Sequence, residues 1–455
     1  MLNVVILAAG KGSRMCSDLP KVMHPLAGEP VLLHVISTAK ALISNRDGQI
    51  TVVTGYGAEV IDPFVLDRGC RVVHQIEQKG TGHALKTALK GVSPETTTLV
   101  LYGDVPLVTS EELSQLIDSA SVSLSVLTAI VSDPTGYGRI IRDQDHSVVA
   151  ITEERDATAE VRLIREVNSG IYAAPTSLFQ ELLPQISASN NQNEYYLTDC
   201  VGLSTASGNS VVAIYGSEEV ILGVNDRKQL ARLNQIVQQQ RRDEAMRSGA
   251  TLVDPSSVYF NGRIDLAQDV EVEPNVVFQG NVIVGKGARI GFGSHLTDAI
   301  IGAGTIVKPY TIVESGQVGA HAEIGPFARI RPGSKLADNT HLGNFCETKN
   351  AVIGQGSKIN HLSYLGDTEI GERVNVGAGT ITCNYDGLTK HLTKIGNDVF
   401  IGSNSSLVAP INIADQATIG AGSVITKDVV EGELALSRAP QVQKASYQRP
   451  KKRVE

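Results

Sequence analysis

An aliphatic residue recurs every six positions through the second half of the chain. The cleanest run is Ile395, Ile401, Leu407, Ile413, Ile419 and Ile425. Others are Val284, Ile290 and Leu296; Ile301, Val307 and Val313; Ile324, Ile330, Leu336 and Leu342; and Ile353, Ile359 and Leu365. An amphipathic helix needs apolar spacing near 3.6 and a half-buried strand a spacing of two, so a period of six fits neither alone. Hexapeptide repetition is the pattern of a parallel β-helix. Three hexapeptides close one triangular coil, so a coil takes ~18 residues and this half has room for ~10 coils. The aliphatic residue is expected to point inward and stack on its equivalent one coil away. A small residue four positions later, as in Ile419-Gly420…Ser423, lets the chain turn a corner. Two stretches break the rhythm: residues 314–322 slip register, and residues 382–393 insert a polar loop. Insertions in solenoids gather on one face, where binding sites form.

The first half has a different rhythm. Residues 3–8, 50–54, 72–74 and 98–102 read as strands, and 31–42 and 81–90 as helices. This βαβ alternation predicts a Rossmann-like α/β domain, an open and mostly parallel sheet covered by helices. Ligands of such sheets bind beyond the carboxyl ends of the strands. Residues 225–249 carry Leu230, Leu233, Ile236 and Val237 at helical spacing and read as one long helix ending near Gly249. The expected division is therefore 1–226, a linker helix at 227–250, and a β-helix with a C-terminal tail at 251–455.

Bulk properties narrow the class. A chain of 455 residues exceeds one ordinary core. Its net charge of −8 argues against a general nucleic-acid binder. The basic cluster Arg449, Lys451, Lys452 and Arg453 is local, either a solvated tail or a contact for an anionic ligand. The five cysteines are scattered and contain no CxxC pair, which points away from a disulfide framework or zinc site and toward a reducing compartment. Residues 1–10 read as a strand rather than a signal peptide, and no apolar run approaches membrane-spanning length. The expected location is the cytoplasm.

The first strand leads directly into Leu7-Ala8-Ala9-Gly10-Lys11-Gly12-Ser13-Arg14-Met15, followed by Pro20-Lys21. Its glycines let backbone N–H groups approach a phosphate, while Arg14 and Lys21 bring positive charge. The spacing is neither a P-loop nor a dinucleotide fingerprint. With Gln75, Gly80-Thr81-Gly82-His83, Tyr102-Gly103-Asp104, Gly136-Tyr137-Gly138-Arg139, Glu153, Asn168 and Asn225, this loop resembles that of the sugar-nucleotide pyrophosphorylases. Together with the hexapeptide half, the whole chain resembles the bacterial family that joins N-acetylglucosamine-1-phosphate uridylyltransferase to glucosamine-1-phosphate N-acetyltransferase. Ser13 stands where threonine is common in that family, and Thr348 and Asn350 flank Lys349 where other residues are often seen.

The resemblance implies specific roles. Asp104 and Asn225 would hold Mg²⁺. Arg14 and Lys21 would contact phosphates, and Leu7, Ala8, Ala9 and Gly10 would line the nucleotide site. Gln75, Gly80 and Thr81 would read uracil. Gly138, Glu153 and Asn168 would hold the sugar, with Tyr102 and Gly103 nearby. In the β-helix, His361 would be the general base. Arg331, Lys349, Tyr364 and Asn375 would bind glucosamine-1-phosphate, with Asn384 and Tyr385 in the same region. Ala378, Ser403, Ala421 and Arg438 would line an acetyl-CoA channel. The family also implies a left-handed β-helix, a homotrimer with the acetyl-transfer site where subunits meet, and product feeding peptidoglycan and lipopolysaccharide precursors.

The chemistry fits these residue types independently. Attack of a sugar-1-phosphate oxygen on the α-phosphorus of UTP needs positioning and charge neutralisation rather than a covalent intermediate. Mg²⁺ takes oxygen ligands and keeps several waters, so one carboxylate and one amide oxygen suffice. A histidine with an unperturbed pKa of ~6.5 suits removal of the amine proton at neutral pH.

Each residue has a plainer reading. Asp104 could be a turn residue or helix cap, Arg14 a surface ion-pair partner, Asn225 the cap of the long helix, and Glu153 part of a solvated charge run with Glu154 and Arg155. His321, His341 and His391 read as surface residues, and Cys346 and Cys383 as structural or incidental. The alternative for the whole chain is a single-activity sugar-1-phosphate nucleotidyltransferase whose β-helix only assembles the oligomer.

Overall fold

The computed structural model describes residues 1–44 and 46–450; of the basic cluster, Lys451, Lys452 and Arg453 lie outside the described residues. Contacts divide the chain into two compact units, Met1–Val237 and Gln238–Glu455. The division falls within the long helix Arg227–Arg247. Gly249, with φ of 99°, follows that helix, as the sequence predicts.

The first unit is built on a nine-stranded sheet. Leu2–Leu7 pairs in parallel with both Gly48–Thr54 and Thr97–Tyr102, and Gly48–Thr54 with Arg71–His74. The strands and helices expected here form within a few residues of their predicted ends, the helices as Val31–Ile43 and Thr81–Ala88. The period-two rule explains why Leu2–Leu7 is apolar at every position but Asn3, whose amide donates to the Thr98 hydroxyl at 3.3 Å. Val4 and Ile6 point into one core and Val5 and Leu7 into another, because both faces of the sheet are covered. One strand departs from the parallel pattern: Glu166–Pro175 runs antiparallel to both Thr97–Tyr102 and Leu124–Ile130. Beside it the hairpin Arg139–Arg142 and Val148–Thr152 adds an antiparallel flap.

In the second unit every aliphatic position of the six-residue rhythm is buried. Ile395 pairs with Ile413, Ile401 with Ile419 and Leu407 with Ile425, so each stacks on the equivalent residue one coil away. One wall of the resulting parallel β-helix is an 11-stranded sheet running from Thr251–Leu252 to Leu434–Ala435. The small residue after each aliphatic has a definite task at the corner. The hydroxyls of Ser405 and Ser423 donate to the carbonyls of Gly402 and Gly420 at 2.6 Å, and Thr380 donates to Gly377 at 2.7 Å. These buried hydroxyls satisfy carbonyls that the turning chain leaves without ladder partners. The expected loop after Ile381–Cys383 is present: Ile370 pairs with Ile395, so this coil is longer than its neighbours. Among the described residues no helix is long and apolar enough to cross a membrane.

Candidate functional site

At the carboxyl ends of Leu2–Leu7 and Thr97–Tyr102 lies a cleft of about 520 Å³. Its lining includes Leu7, Ala8, Ala9, Gly10, Arg14, Lys21, Gln75, Gly80, Thr81, Tyr102, Asp104 and Asn225, all singled out by sequence. The loop after the first strand is shaped by Gly12. Its φ is 61°, and a Cβ there would lie 2.6 Å from Cβ of Lys21. Only glycine allows both that backbone and that approach. The short turn Ser13–Met15 is pinned by fully buried Met15, which leaves Arg14 facing the cleft.

Four polar side chains converge there. Arg14 Nη2 donates to Asn225 Oδ1 at 3.1 Å, Lys21 Nζ donates to the same oxygen at 3.4 Å, and Lys21 also pairs with Asp104. The plainer readings fail for Arg14 and Asn225, and for Asp104 as a helix cap, although Asp104 does sit in a turn. Arg14 points to the cleft. Asn225 is not the cap of the long helix, because Asp226 Oδ1 takes the N–H of Gln229 at 2.8 Å. Asp104 caps no helix; the next one, Ser110–Ser119, is capped by Thr109. The Asp104 carboxylate and the Asn225 amide oxygen both face one cationic group, the Lys21 ammonium. That donor set suits a hard cation completed by phosphate and water oxygens. Among the described residues no cluster of three or more His, Cys, Asp or Glu could hold a metal.

Gln75 is buried and fixed: its amide donates to the Gly80 carbonyl at 3.0 Å and meets His83 Nδ1 at 3.1 Å. Thr81 Oγ1 accepts the N–H of Leu197 at 3.1 Å. Tyr102 is half-buried beside Thr81, Glu153 and Asp104, and loss of water around the phenol drives its pKa far up. Gly138, Glu153 and Asn168 do not line the cleft itself but form a neighbouring group. The Asn168 N–H donates to the Gly138 carbonyl at 2.9 Å, and a Cβ on Gly138 would meet Glu153 Oε2 at 3.6 Å. Glu153 is no solvated charge: burial raises its pKa, and Thr198 Oγ1 donates to it at 3.2 Å. Thr198 is a contact that sequence reasoning missed. Gly103 faces inward, its N–H on the Leu7 carbonyl, and packs behind the cleft against Ala8.

The β-helix carries a second polar group. His361 is exposed at the end of Lys358–His361, and its Nδ1 lies 2.6 Å from Asn344 Oδ1. An amide oxygen only accepts, so Nδ1 carries the hydrogen and Nε2 keeps the lone pair. Asn344 was also missed, although it sits one coil before His361 in the ladder. Arg331 Nη1 donates to Glu347 at 2.7 Å. Lys390 lies beside Lys349 and pushes its pKa down. Asp367 takes the amides of Asn350, at 2.8 Å, and Asn384, which holds its own pKa down despite partial burial. Tyr364 and Asn384 close over Gly366: a Cβ there would sit 2.3 Å from the Tyr364 hydroxyl and 2.8 Å from Asn384 Nδ2. Asn375 pairs with Lys358 one coil below.

Ala378, Ser403 and Ala421 stack in one column. The Asn404 N–H donates to the Ala378 carbonyl and the Gly422 N–H to the Ser403 carbonyl, both at 2.7 Å, and Arg438 lies over Gly420 and Gly422. Two histidines differ from expectation. His341 is half-buried, which lowers its pKa. His391 closes the inserted loop on Asp386 at 2.7 Å. Cys346 is buried, its thiol on the Ile359 carbonyl, in keeping with a structural role.

Residues 4–188 match the family described as MobA-like NTP transferase domain, and residues 393–427 match the hexapeptide repeat of succinyl-transferase. The bifunctional protein GlmU of Acinetobacter baumannii (strain AYE) is 49% identical over 452 residues, covering 99% of each chain. That of Marinobacter nauticus is 49% identical over 453 residues, again covering 99% of each. This chain belongs to the GlmU family. The GlmU protein of Paraburkholderia phymatum, 48% identical over 454 residues, covers 99% of this chain and 100% of its own. The crystal structure of UDP-glucose pyrophosphorylase complexed with UDP-glucose covers 53% of this chain and 100% of its own at 18% identity, with a TM-score of 0.43, too distant a likeness to bear on function. Membership in the GlmU family fits the two separate groups of side chains: a nucleotidyltransferase and a hexapeptide acyltransferase share one chain.

Proposed function

We propose that this chain is a bifunctional enzyme of UDP-N-acetylglucosamine synthesis. Residues 251–455 transfer an acetyl group from acetyl-CoA to glucosamine-1-phosphate. Residues 1–226 then join the N-acetylated sugar phosphate to UMP from UTP, releasing pyrophosphate, and residues 227–250 link the two.

In the acetyl-transfer site, His361 takes a proton from the acceptor amine at Nε2. The other ring nitrogen is committed to Asn344, which fixes the tautomer. Arg331, Lys349 and Lys390 hold the acceptor phosphate, and Tyr364, Asn375, Asn384 and Tyr385 hold its sugar. Acetyl-CoA lies along Ala378, Ser403, Ala421 and Arg438, and the thiolate leaves directly without a covalent cysteine. In the uridylyl site, Arg14 and Lys21 bind and orient phosphate oxygens. Gln75 and the Gly80-Thr81 turn read the uracil edge. Gly138, Glu153 and Asn168 seat the sugar with Tyr102. A divalent cation, Mg²⁺ on donor chemistry, would be held by Asp104 and Asn225 and would neutralise developing phosphate charge. Lys21 then turns from Asp104 to the substrate. The enzyme works in the cytoplasm as a homotrimer. An exposed aromatic stack of Tyr310, Phe327 and Phe345, with ring centroids 5.1 and 5.3 Å apart, supports self-association.

The observation that carries the reading is exposed His361 with Nδ1 tied to Asn344. A β-helix that merely assembles an oligomer has no need of an oriented imidazole. The test assays both half-reactions in two variants. His361→Ala is expected to lower acetyl transfer by about 10²–10⁴-fold, the scale of a lost general base, and to leave uridylyl transfer intact. Arg14→Ala is expected to do the converse. Wild-type protein that makes no acetylated sugar from labelled acetyl-CoA and glucosamine-1-phosphate would return the chain to the single-activity class.

A further inference from the structure

The surplus chain after Cys383 is organised around one carboxylate. Asp386 Oδ1 accepts the backbone N–H groups of Leu388 at 2.8 Å and Thr389 at 2.7 Å. Its Oδ2 accepts the Thr389 hydroxyl at 3.1 Å and His391 Nε2 at 2.7 Å. Around this hub the chain doubles back. The His391 N–H donates to the Asn384 carbonyl at 2.8 Å, Tyr385 pairs with Lys390 in an antiparallel bridge, and the Tyr385 hydroxyl donates to Gly387 at 2.6 Å. An exposed ion pair alone contributes little. A carboxylate with four donors, two of them backbone amides, instead dictates a turn. The same donors hold the Asp386 carboxyl well below the usual range, His391 most of all.

The turn has a consequence at the acceptor site. It sets Lys390 beside Lys349, with Arg331 close enough to add its field. Like charges so near one another repel, and an unconstrained surface lysine would swing into water. The carboxylates nearby are already engaged, Asp367 by the Asn350 and Asn384 amides and Glu347 by Arg331. Something must therefore hold Lys390 in place, and the Asp386 hub, with the Tyr385–Lys390 bridge it supports, fixes the backbone from which Lys390 projects.

We propose that Asp386 and His391 are positioning residues of the acetyl-transfer site, a clasp that holds Lys390 against Lys349 so that a cationic seat for the acceptor's phosphate exists before the acceptor arrives. The repulsion between the two ammoniums is relieved when the phosphate dianion enters. The clasp touches neither the amine nor the thioester, so it governs acceptor binding and not the chemical step. This inference rests on the reading of Lys349 and Lys390 as phosphate partners.

The test is a double-mutant cycle on the full chain, with KM for glucosamine-1-phosphate, KM for acetyl-CoA and kcat measured separately. Lys390→Ala is expected to raise the acceptor KM roughly tenfold, as for loss of one charge-assisted contact. Asp386→Ala is expected to raise it by a similar factor, with kcat at saturating acceptor and the acetyl-CoA KM little changed. The Asp386→Ala/Lys390→Ala pair should be no worse than either alone, because both remove the same contact. Asp386→Asn should recover part of the loss by keeping the backbone bonds, and His391→Ala gives a milder probe if Asp386→Ala does not fold. An unchanged acceptor KM in His391→Ala and Asp386→Ala, or effects that add in full to those of Lys390→Ala, would overturn the clasp. No change in Lys349→Ala or Lys390→Ala would instead overturn the phosphate-seat reading on which it stands.

Discussion

At the level of single residues, the two sites rest on different kinds of constraint. In the uridylyl cleft the decisive groups are charged and mutually bonded, so Arg14, Lys21, Asp104 and Asn225 define one another. At the acetyl-transfer site a missing side chain matters as much. Gly366 lies under the Tyr364 hydroxyl and Asn384 Nδ2, with no room for a methyl group. Gly366→Ala is therefore expected to displace both and to lower acetyl transfer by about 10²-fold, the scale of a misplacement near 1 Å, with uridylyl transfer unchanged. Separate assays of the two half-reactions check this, and a normal acetyl-transfer rate would show that the crowding is absorbed elsewhere. Much of this scale was legible in the order of residues because loop glycines and basic residues have fixed offsets. Asn225 was ambiguous in sequence, since an asparagine before a helix reads as a cap. Only the fold reveals that Asp226 takes that task. Asn344, Lys390 and Thr198 were missed because their partners are brought to them by the fold. Asn344 could have been found: it lies one coil before His361, and the repeat itself gives that distance.

Among elements, the contrast lies between a sheet whose strands point both ways and a solenoid whose strands point one way. The β-helix was legible because its period of six is imposed by geometry, with every aliphatic of the rhythm inside. The antiparallel strand Glu166–Pro175 was not, because a strand buried on both faces carries no mark of its direction. The solenoid makes a sharp prediction about adjacent residues. Ile401 is fully buried between Val376 and Ile419, whereas Phe400 beside it faces outward. Ile401→Ala is expected to cost about 2–5 kcal/mol, and Phe400→Ala well under that, although it removes more atoms. Urea denaturation followed by loss of acetyl transfer reads the difference. Equal shifts in midpoint for the two variants would contradict the assigned register.

For the molecule as a whole, two chemistries with different needs sit in two contact units. On the proposed assignments, uridylyl transfer would use a divalent cation held by the Asp104 and Asn225 oxygens, while acetyl transfer would use the His361 imidazole without one. Chelation by EDTA is accordingly expected to stop UDP-N-acetylglucosamine formation and leave acetylation of glucosamine-1-phosphate at its normal rate, with added Mg²⁺ restoring the first. Loss of both activities on chelation would mean the halves are coupled through the metal. The division of labour was legible from the change of rhythm near residue 250. The location of the boundary was less so, since the long helix belongs in part to each unit.

On the proposed path of acetyl-CoA, the stacked column of Ala378, Ser403 and Ala421 would also act as a measuring stick. Adjacent strands in a sheet are ~4.8 Å apart, so the four steps from the rung of His361 to that of Arg438 span ~19 Å along the prism. A donor whose reactive end must meet the imidazole while its far end meets the guanidinium is gauged in whole rungs. Removing one complete turn from between them would shorten the gauge by a fixed increment without disturbing the wall on either side, leaving an intact prism calibrated for a shorter molecule.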